Sequence, residues 1–263
     1  MHLRVVTWNI HKGIGGVDRR YRIERILEPL RFYDADLLFL QEVDDGAPRS
    51  AFHSQAEMLA RALGYRHFCY GPNVTLRRGR YGNATLSRWP LSQVRNLDLT
   101  IGPKKRRGAL HARCRVRVGR RSRTVVLYNL HLGLAGFERA LQLRRFLASH
   151  PFAGLHQRTP VVFAGDLNDL WGTLGPRFLD PAGFRRAGPL VPTYPAVWPF
   201  RPLDAVFVRG DLKVVRCFRS RMPVAREASD HLPLVAQLYL TSGASARGGS
   251  AQPAGTTSTG PTA

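Results

Sequence analysis

Six apolar stretches of this chain run into polar residues that a buried strand has no use for. "VVTWN" ends on Asn9 and "LLFLQE" on Glu42. "VVLYNLH" delivers Asn129 and His131, and "VVFAGDLN" delivers Asp166 and Asn168. "RPLD" sets Asp204 at the head of one apolar run, and "SDH" sets Asp230 and His231 at the head of another. Residues two apart in a strand share a face, so Asn129 goes with His131 and Asp166 with Asn168. Any one of these endings alone is what a turn or cap supplies. Together they constrain the fold. Strand ends gathered at one rim would bring carboxylates, amides and imidazoles to one place.

The remaining pattern fills in the layers. Ile23, Ile26, Leu27 and Leu30 recur at helical spacing over 21–32, and Pro29 inside that run predicts a kink or an early end. A helix is expected at 54–63, with Ser54 as N-cap and Gly64 past the end. Another is expected at 137–149, with Leu141, Phe146 and Leu147 on its apolar side. Strands are expected at 3–10, 36–43, 82–91, 111–118, 124–132, 160–168, 202–208 and 231–240. In 111–118 the alternation turns Arg113, Arg115 and Arg117 to one face. Many strands and few helices predict two sheets packed face to face with helices outside. Gly165 predicts a close approach of backbone to a ligand. Asp169, on the other parity from Asp166, reads as a support or cap. From Thr241 to Ala263 the chain turns to Gly, Ser, Ala, Thr and Pro, the signature of a disordered tail. Residues 1–240 are then one domain, large enough for a substantial core.

Composition narrows the partners. Forty Lys and Arg against 18 Asp and Glu give a formal charge of +22, a field that attracts polyanions. Between residues 101 and 123 lie ten basic residues, Lys104 to Arg107 among them, and no acid. That run reads either as a solvated hairpin or as a phosphate-tracking surface. The three cysteines are scattered, which argues against a disulfide framework or a zinc cluster. No secretory signal pattern opens the chain, and no apolar run approaches the ~20 residues of a membrane span. The expected setting is cytoplasmic, with peripheral contact at the inner face of the membrane, as a monomer.

Carboxylates and amides without cysteine are hard oxygen ligands that suit Mg²⁺, with Mn²⁺ or Ca²⁺ as alternatives. Metal, acid/base groups and amide donors together describe phosphoester hydrolysis. The motifs "TWNIHKG", "LFLQEVD", "GNATLSRWP", "YNLHLG", "FAGDLND", "PLDAVFV" and "ASDHLPLVAQL" occur in this order over residues 3–240. In them the chain resembles the endonuclease/exonuclease/phosphatase superfamily, which includes DNase I and the neutral sphingomyelinases. The resemblance implies an α/β fold, a DNase I-like four-layer sandwich of two packed mixed β-sheets flanked by helices. It implies Glu42 as principal metal ligand, with Asn9 and Asp230 at the metal. It implies Asp166 as the group that orients or activates water, and His231 as catalytic histidine paired with Asp204. Asn168 would hold a phosphate oxygen, with Asn83 and Asn129 as further phosphate contacts. His131 places the chain in the branch with a second catalytic histidine, here a bacterial member.

The expected activity is thus a metal-dependent phosphodiesterase or phosphatase on a polyanion, either nucleic acid or an anionic phospholipid headgroup. The alternative is a protein that binds such a polyanion through residues 101–123 with little or no catalysis. His11 and Lys12 read equally as substrate contacts or as a solvated loop. Trp8, Trp89 and Trp171 read as core or rim packing. The loop "PTYPAVWPFRP", with Tyr194, Trp198 and Phe200, reads as packed on itself more readily than as a cleft lining.

Overall fold

The structure is a computed structural model and describes residues 1–118 and 120–241, the side chain of Arg121 excepted. The expected tail therefore lies, beyond Thr241, outside the described residues. Two six-stranded sheets form the centre. The first runs in the order β11 (Leu212–Arg219), β12 (Leu234–Leu240), β1 (His2–Asn9), β2 (Leu37–Asp45), β4 (Arg80–Ser87), β3 (His67–Thr75). The second runs β5 (Leu91–Asp98), β6 (Gly108–Val118), β7 (Arg121–His131), β8 (Val161–Asp166), β10 (Asp204–Arg209), β9 (Arg185–Arg186).

Alternation along the strands sorts the apolar residues into layers. Val5, Leu37 and Phe39 of the first sheet face Leu127, Val162 and Val206 of the second. The other parity, Val6, Trp8, Leu38 and Leu40, packs on α1 (Glu24–Tyr33), α2 (Gln55–Leu63) and α4 (Pro223–Ala228) through Ile26, Leu30, Leu59 and Ala228. On the far side Tyr128, Phe163 and Phe207 pack with Leu143 and Phe146 of α3 (Gly136–Ala148). Each large side chain buried this way contributes on the order of 1.5–3 kcal/mol. Helix, sheet, sheet and helix make the four-layer DNase I-like sandwich that the sequence implied.

Each sheet is built around one parallel pair, β1–β2 in the first and β7–β8 in the second. The other pairings are antiparallel. So β1, β2, β7 and β8 end at the rim where β4, β6, β10 and β12 begin, and the polar strand endings collect there.

Several local expectations change. Helix α1 runs through Pro29, which is buried, because Ile26 and Leu30 hold it to the sheet on both sides of the missing donor. The Ser54 hydroxyl bonds Asp45 Oδ1 at 2.6 Å instead of capping α2, whereas Gly64 does end that helix, at φ 76°. Leu141 of α3 is exposed, and the buried side carries Leu143, Phe146 and the polar Gln142, which accepts the Gly133 N–H at 2.8 Å. The expected strand 82–91 is two strands in different sheets, with the crossing at Arg88–Pro90. At Gly165 the close approach is to the neighbouring strand: a Cβ there would run into the Leu130 carbonyl oxygen on β7.

Candidate active site

Three of the polar endings form one rung of the second sheet. His131 and Asp166 are register partners across β7–β8, and Asp166 and Asp204 across β8–β10. His231 arrives from the first sheet, in the turn before β12. Its Nδ1 donates to Asp204 Oδ2 at 2.8 Å, which leaves Nε2 3.7 Å from Asp166 Oδ2. Thr193 Oγ1 donates to the same Asp204 oxygen at 2.6 Å. The His231 backbone is held too: its carbonyl accepts Trp8 Nε1 at 2.8 Å, and its N–H meets Ser229 Oγ at 3.2 Å. The imidazole is therefore fixed from behind and faces Asp166.

Asp166 sits between two histidines. Its Oδ2 lies 3.4 Å from His131 Nε2 and accepts Asn9 Nδ2 at 3.1 Å, while Oδ1 accepts the Asn168 N–H at 3.0 Å. Burial lifts the Asp166 carboxyl above its usual range, against the opposing pull of His231. Burial also works against a charge on His231, but the Asp204 and Asp166 carboxylates override it and raise His231 to about 10. Burial and the nearby Arg107 guanidinium push His131 well below the ordinary histidine value. One histidine is thus held charged and the other neutral, on either side of one carboxylate.

The first sheet supplies Glu42 through a bulge. Gln41 and Glu42 together occupy the span opposite Asn83, between the pairs Leu40–Ala84 and Val43–Gly82, and Glu42 has φ 54°. Leu40 and Val43 both pack toward the helices, so the extra residue resets the alternation and frees Glu42 to face Lys12. Burial would raise the Glu42 carboxyl, yet the Lys12 ammonium in contact with it holds it well below the usual range.

This donor set fits a hard divalent cation. Glu42 is partly buried, held ionised and already partnered by a positive charge. Asp230 lies 4.0 Å from His11 Nδ1, and Asn9 Oδ1 accepts the His11 N–H at 3.0 Å. All three offer oxygen. Asp166, Asp204 and His231 also bring ligand atoms within 4.8 Å of one another. Asp204 and His231, however, are engaged with each other through the Nδ1 bond, which is acid/base geometry.

Two expected phosphate contacts move elsewhere. Asn129 is fully buried; its Nδ2 donates to Leu40 and Ala84 carbonyls at 3.1 and 2.8 Å, and its Oδ1 accepts Gln41 Nε2 at 2.8 Å. Asn83 donates to Gly108 and Asn129 carbonyls at 3.3 and 3.2 Å, and its Oδ1 has no partner. Both sit one step below the rim on the inward parity and tie the sheets together, so neither offers a phosphate a free donor. Asn168 stays at the rim, with φ 51° and Nδ2 on the Leu132 carbonyl at 2.9 Å. Asp169 accepts the Thr173 and Leu174 N–H groups at 3.1 and 2.9 Å and caps the following turn.

The basic run does not make one surface. Lys104, Lys105 and Arg106 are exposed in the loop at the rim, whereas β6 carries Arg113, Arg115 and Arg117 away from it. Arg107 is buried, with Nε unpartnered, near enough to act on His131. Lys12, Lys105 and Arg49 stand around the Tyr81 ring at 5.8, 5.1 and 5.0 Å. Tyr194 packs on His231 with ring centroids 4.9 Å apart, but Trp198 and Phe200 are exposed, not packed on their loop. Trp171 is exposed as well, while Trp8 is buried. Thr193 and Arg107 carried no signal beyond lying in a Pro-rich loop and a basic run.

Comparison with known proteins agrees with this geometry. A sequence model described as the Endonuclease/Exonuclease/phosphatase family matches residues 6–231. Protein YbhP of Escherichia coli (strain K12) is 30% identical over 251 residues, covering 90% of this chain and 96% of its own. The crystal structure of an endonuclease/exonuclease/phosphatase from Beutenbergia cavernae DSM 12333 superposes with a TM-score of 0.76 at 27% identity, over 91% of this chain and 72% of that one. The human Nocturnin catalytic domain, solved with a bound sulfate anion, shares the fold, with a TM-score of 0.68 at 23% identity over 91% and 94%.

Proposed function

The chain belongs to the endonuclease/exonuclease/phosphatase family, and from that premise we propose that it is a divalent-metal-dependent phosphoester hydrolase, a phosphodiesterase acting on a polyanionic substrate. The observation that carries this reading is geometric: His131 and His231 both bring Nε2 to one oxygen of Asp166, with Asp204 fixed behind His231. An active site needs an acid and a base that coexist at one pH, and environments that push like groups apart supply them.

Asp166, made more basic by burial, takes a proton from the attacking water as its oxygen bonds phosphorus. The His231 imidazolium, backed by Asp204, gives its Nε2 proton to the leaving oxygen as the P–O bond breaks. The Asn9 amide fixes the Asp166 oxygen that receives the proton. Neutral His131, on the same carboxylate, can relay a proton without adding charge. Lys105 and Arg107 place positive charge beside the site, and Asn168 has a second amide hydrogen for a phosphate oxygen. A divalent cation held by Glu42 with Asp230 and Asn9 would offset charge on the phosphoryl group.

The test is turnover of bis(p-nitrophenyl) phosphate with Mg²⁺ or Mn²⁺ by the purified chain. Asp166→Asn and His231→Ala are expected to lower kcat by about 10²–10⁴-fold, the usual worth of a positioned acid or base. Unchanged turnover in both variants would overturn the reading and leave a binding protein.

A further inference from the structure

Three side chains are the most exposed large apolar groups among the described residues: Trp171 and Trp198 at 79% and Leu134 at 76%. All three stand on the rim of the candidate active site. Leu134 follows His131 by three residues, Trp171 follows Asn168 by three, and Trp198 follows Tyr194, which lies on His231. Phe137, Leu190 and Phe200 join them, also more than 45% exposed; Leu190 packs where a side chain on Gly172 would sit, beside Trp171. These groups leave from three separate segments, after β7 into the start of α3, after β8 and before β10, so no single loop accounts for them. A monomer in water has no use for such a cluster, and apolar exposure gathered on one face marks a contact.

The charge around it selects the partner. Two rim loops, residues 99–107 and 188–203, contain no acid and present Lys104, Lys105, Arg106 and Arg201. Lys104 lies 5.8 Å over the Phe137 ring, so cation and apolar group sit side by side. Tryptophan among aliphatic residues, edged by Lys and Arg, suits the interface of an anionic bilayer. Nucleic acid is the weaker match: Leu134 and Leu190 gain nothing from bases, whose contribution comes through stacking on aromatic faces. No described helix is long and apolar enough to cross a membrane, so contact of this kind would be peripheral.

We propose that this rim docks onto an anionic phospholipid surface and opens the candidate site toward the headgroups. The inference rests on the phosphodiesterase reading only for what docking delivers, and binding is therefore measured without added metal. The full chain is sedimented with vesicles of phosphatidylcholine alone or mixed with phosphatidylglycerol, and tryptophan emission is followed in parallel. Expected are binding to the anionic vesicles, a blue shift as Trp171 and Trp198 leave water, and at least about a tenfold weaker partition for W171S/W198S, given what burial of one large apolar side chain contributes. Phe32→Ser/Tyr239→Ser, which removes exposed apolar groups elsewhere, should bind like the parent. Circular dichroism confirms that each variant is folded. Equal vesicle binding by W171S/W198S overturns the proposal. So does a tryptophan response to single-stranded DNA with none to anionic vesicles. Binding without turnover of any phosphoester would keep the docking surface and remove the hydrolase.

Discussion

His131 and His231 are both buried, and both point Nε2 at the same oxygen of Asp166, yet one is held neutral and the other charged. Burial disfavours charge on each. What differs is the company behind them. Both face Asp166, but His231 has Asp204 hydrogen-bonded to its Nδ1, whereas His131 has Arg107 nearby, which outweighs the opposing pull of Glu42. Residue type and depth therefore say little about a histidine's role, and the sum of the fixed charges around it says much.

The bluntest way to break the comparison is to delete each ring. His231→Ala should cost kcat about 10³-fold or more, and His131→Ala less, about ten- to a hundredfold, because only the former loses a charged donor. Turnover measured on both variants checks the ranking, and equal losses would remove the distinction. Asp204→Asn should make His231 resemble His131. Without that carboxylate the raised value falls, so the alkaline limb of the kcat profile moves to lower pH. Stability follows with a definite sign. A raised histidine stabilises the fold fully below its unfolded value of about 6.5 and loses that contribution as pH climbs through its folded value. The parent should therefore lose Tm between roughly pH 6.5 and 10, and Asp204→Asn should show a flatter curve in that window.

A smaller effect sharpens the other side. Arg107→Gln removes a positive charge from beside His131 and should shift the NMR titration of that ring to higher pH, with His231 little moved. The smallest expected change lies across the site. Lys12→Gln frees Glu42 from its ammonium partner, and calorimetry should show divalent cation binding about tenfold tighter, or about 1.4 kcal/mol. Weaker binding would mean that Lys12 assists the metal instead of competing with it.

Legibility in the sequence followed burial. The central strands β1, β2, β7, β8, β10 and β12 read clearly because both faces are covered and their apolar runs are continuous. The strands that escaped notice, β3, β5, β9 and β11, are the four sheet edges. Their side chains meet water on one side and their pattern is correspondingly thin; β5 has no buried residue. At the site, parity paired Asp166 with Asn168, but β8 ends at Asp166 and Asn168 meets it through a turn at φ 51°, its N–H on Asp166 Oδ1. Parity does not say how far down a strand a residue lies, so Asn129 passed for a rim group when it sits a step below His131. Nor does it register a bulge. Glu42 reads as a strand ending and takes its metal role from resemblance, but the backbone that aims it is invisible in "LFLQEVD".

Asn129 has a mechanical consequence. Apolar sheets can slide over each other at little cost, because dispersion has no preferred direction. The Asn129 amide is directional, and it grips Leu40, Ala84 and Gln41 of the opposite sheet just beneath the rim. It works as a spacer of fixed size wedged between two plates. The gap between Glu42 on one plate and His131 on the other is thereby gauged from below, before any ion or substrate enters.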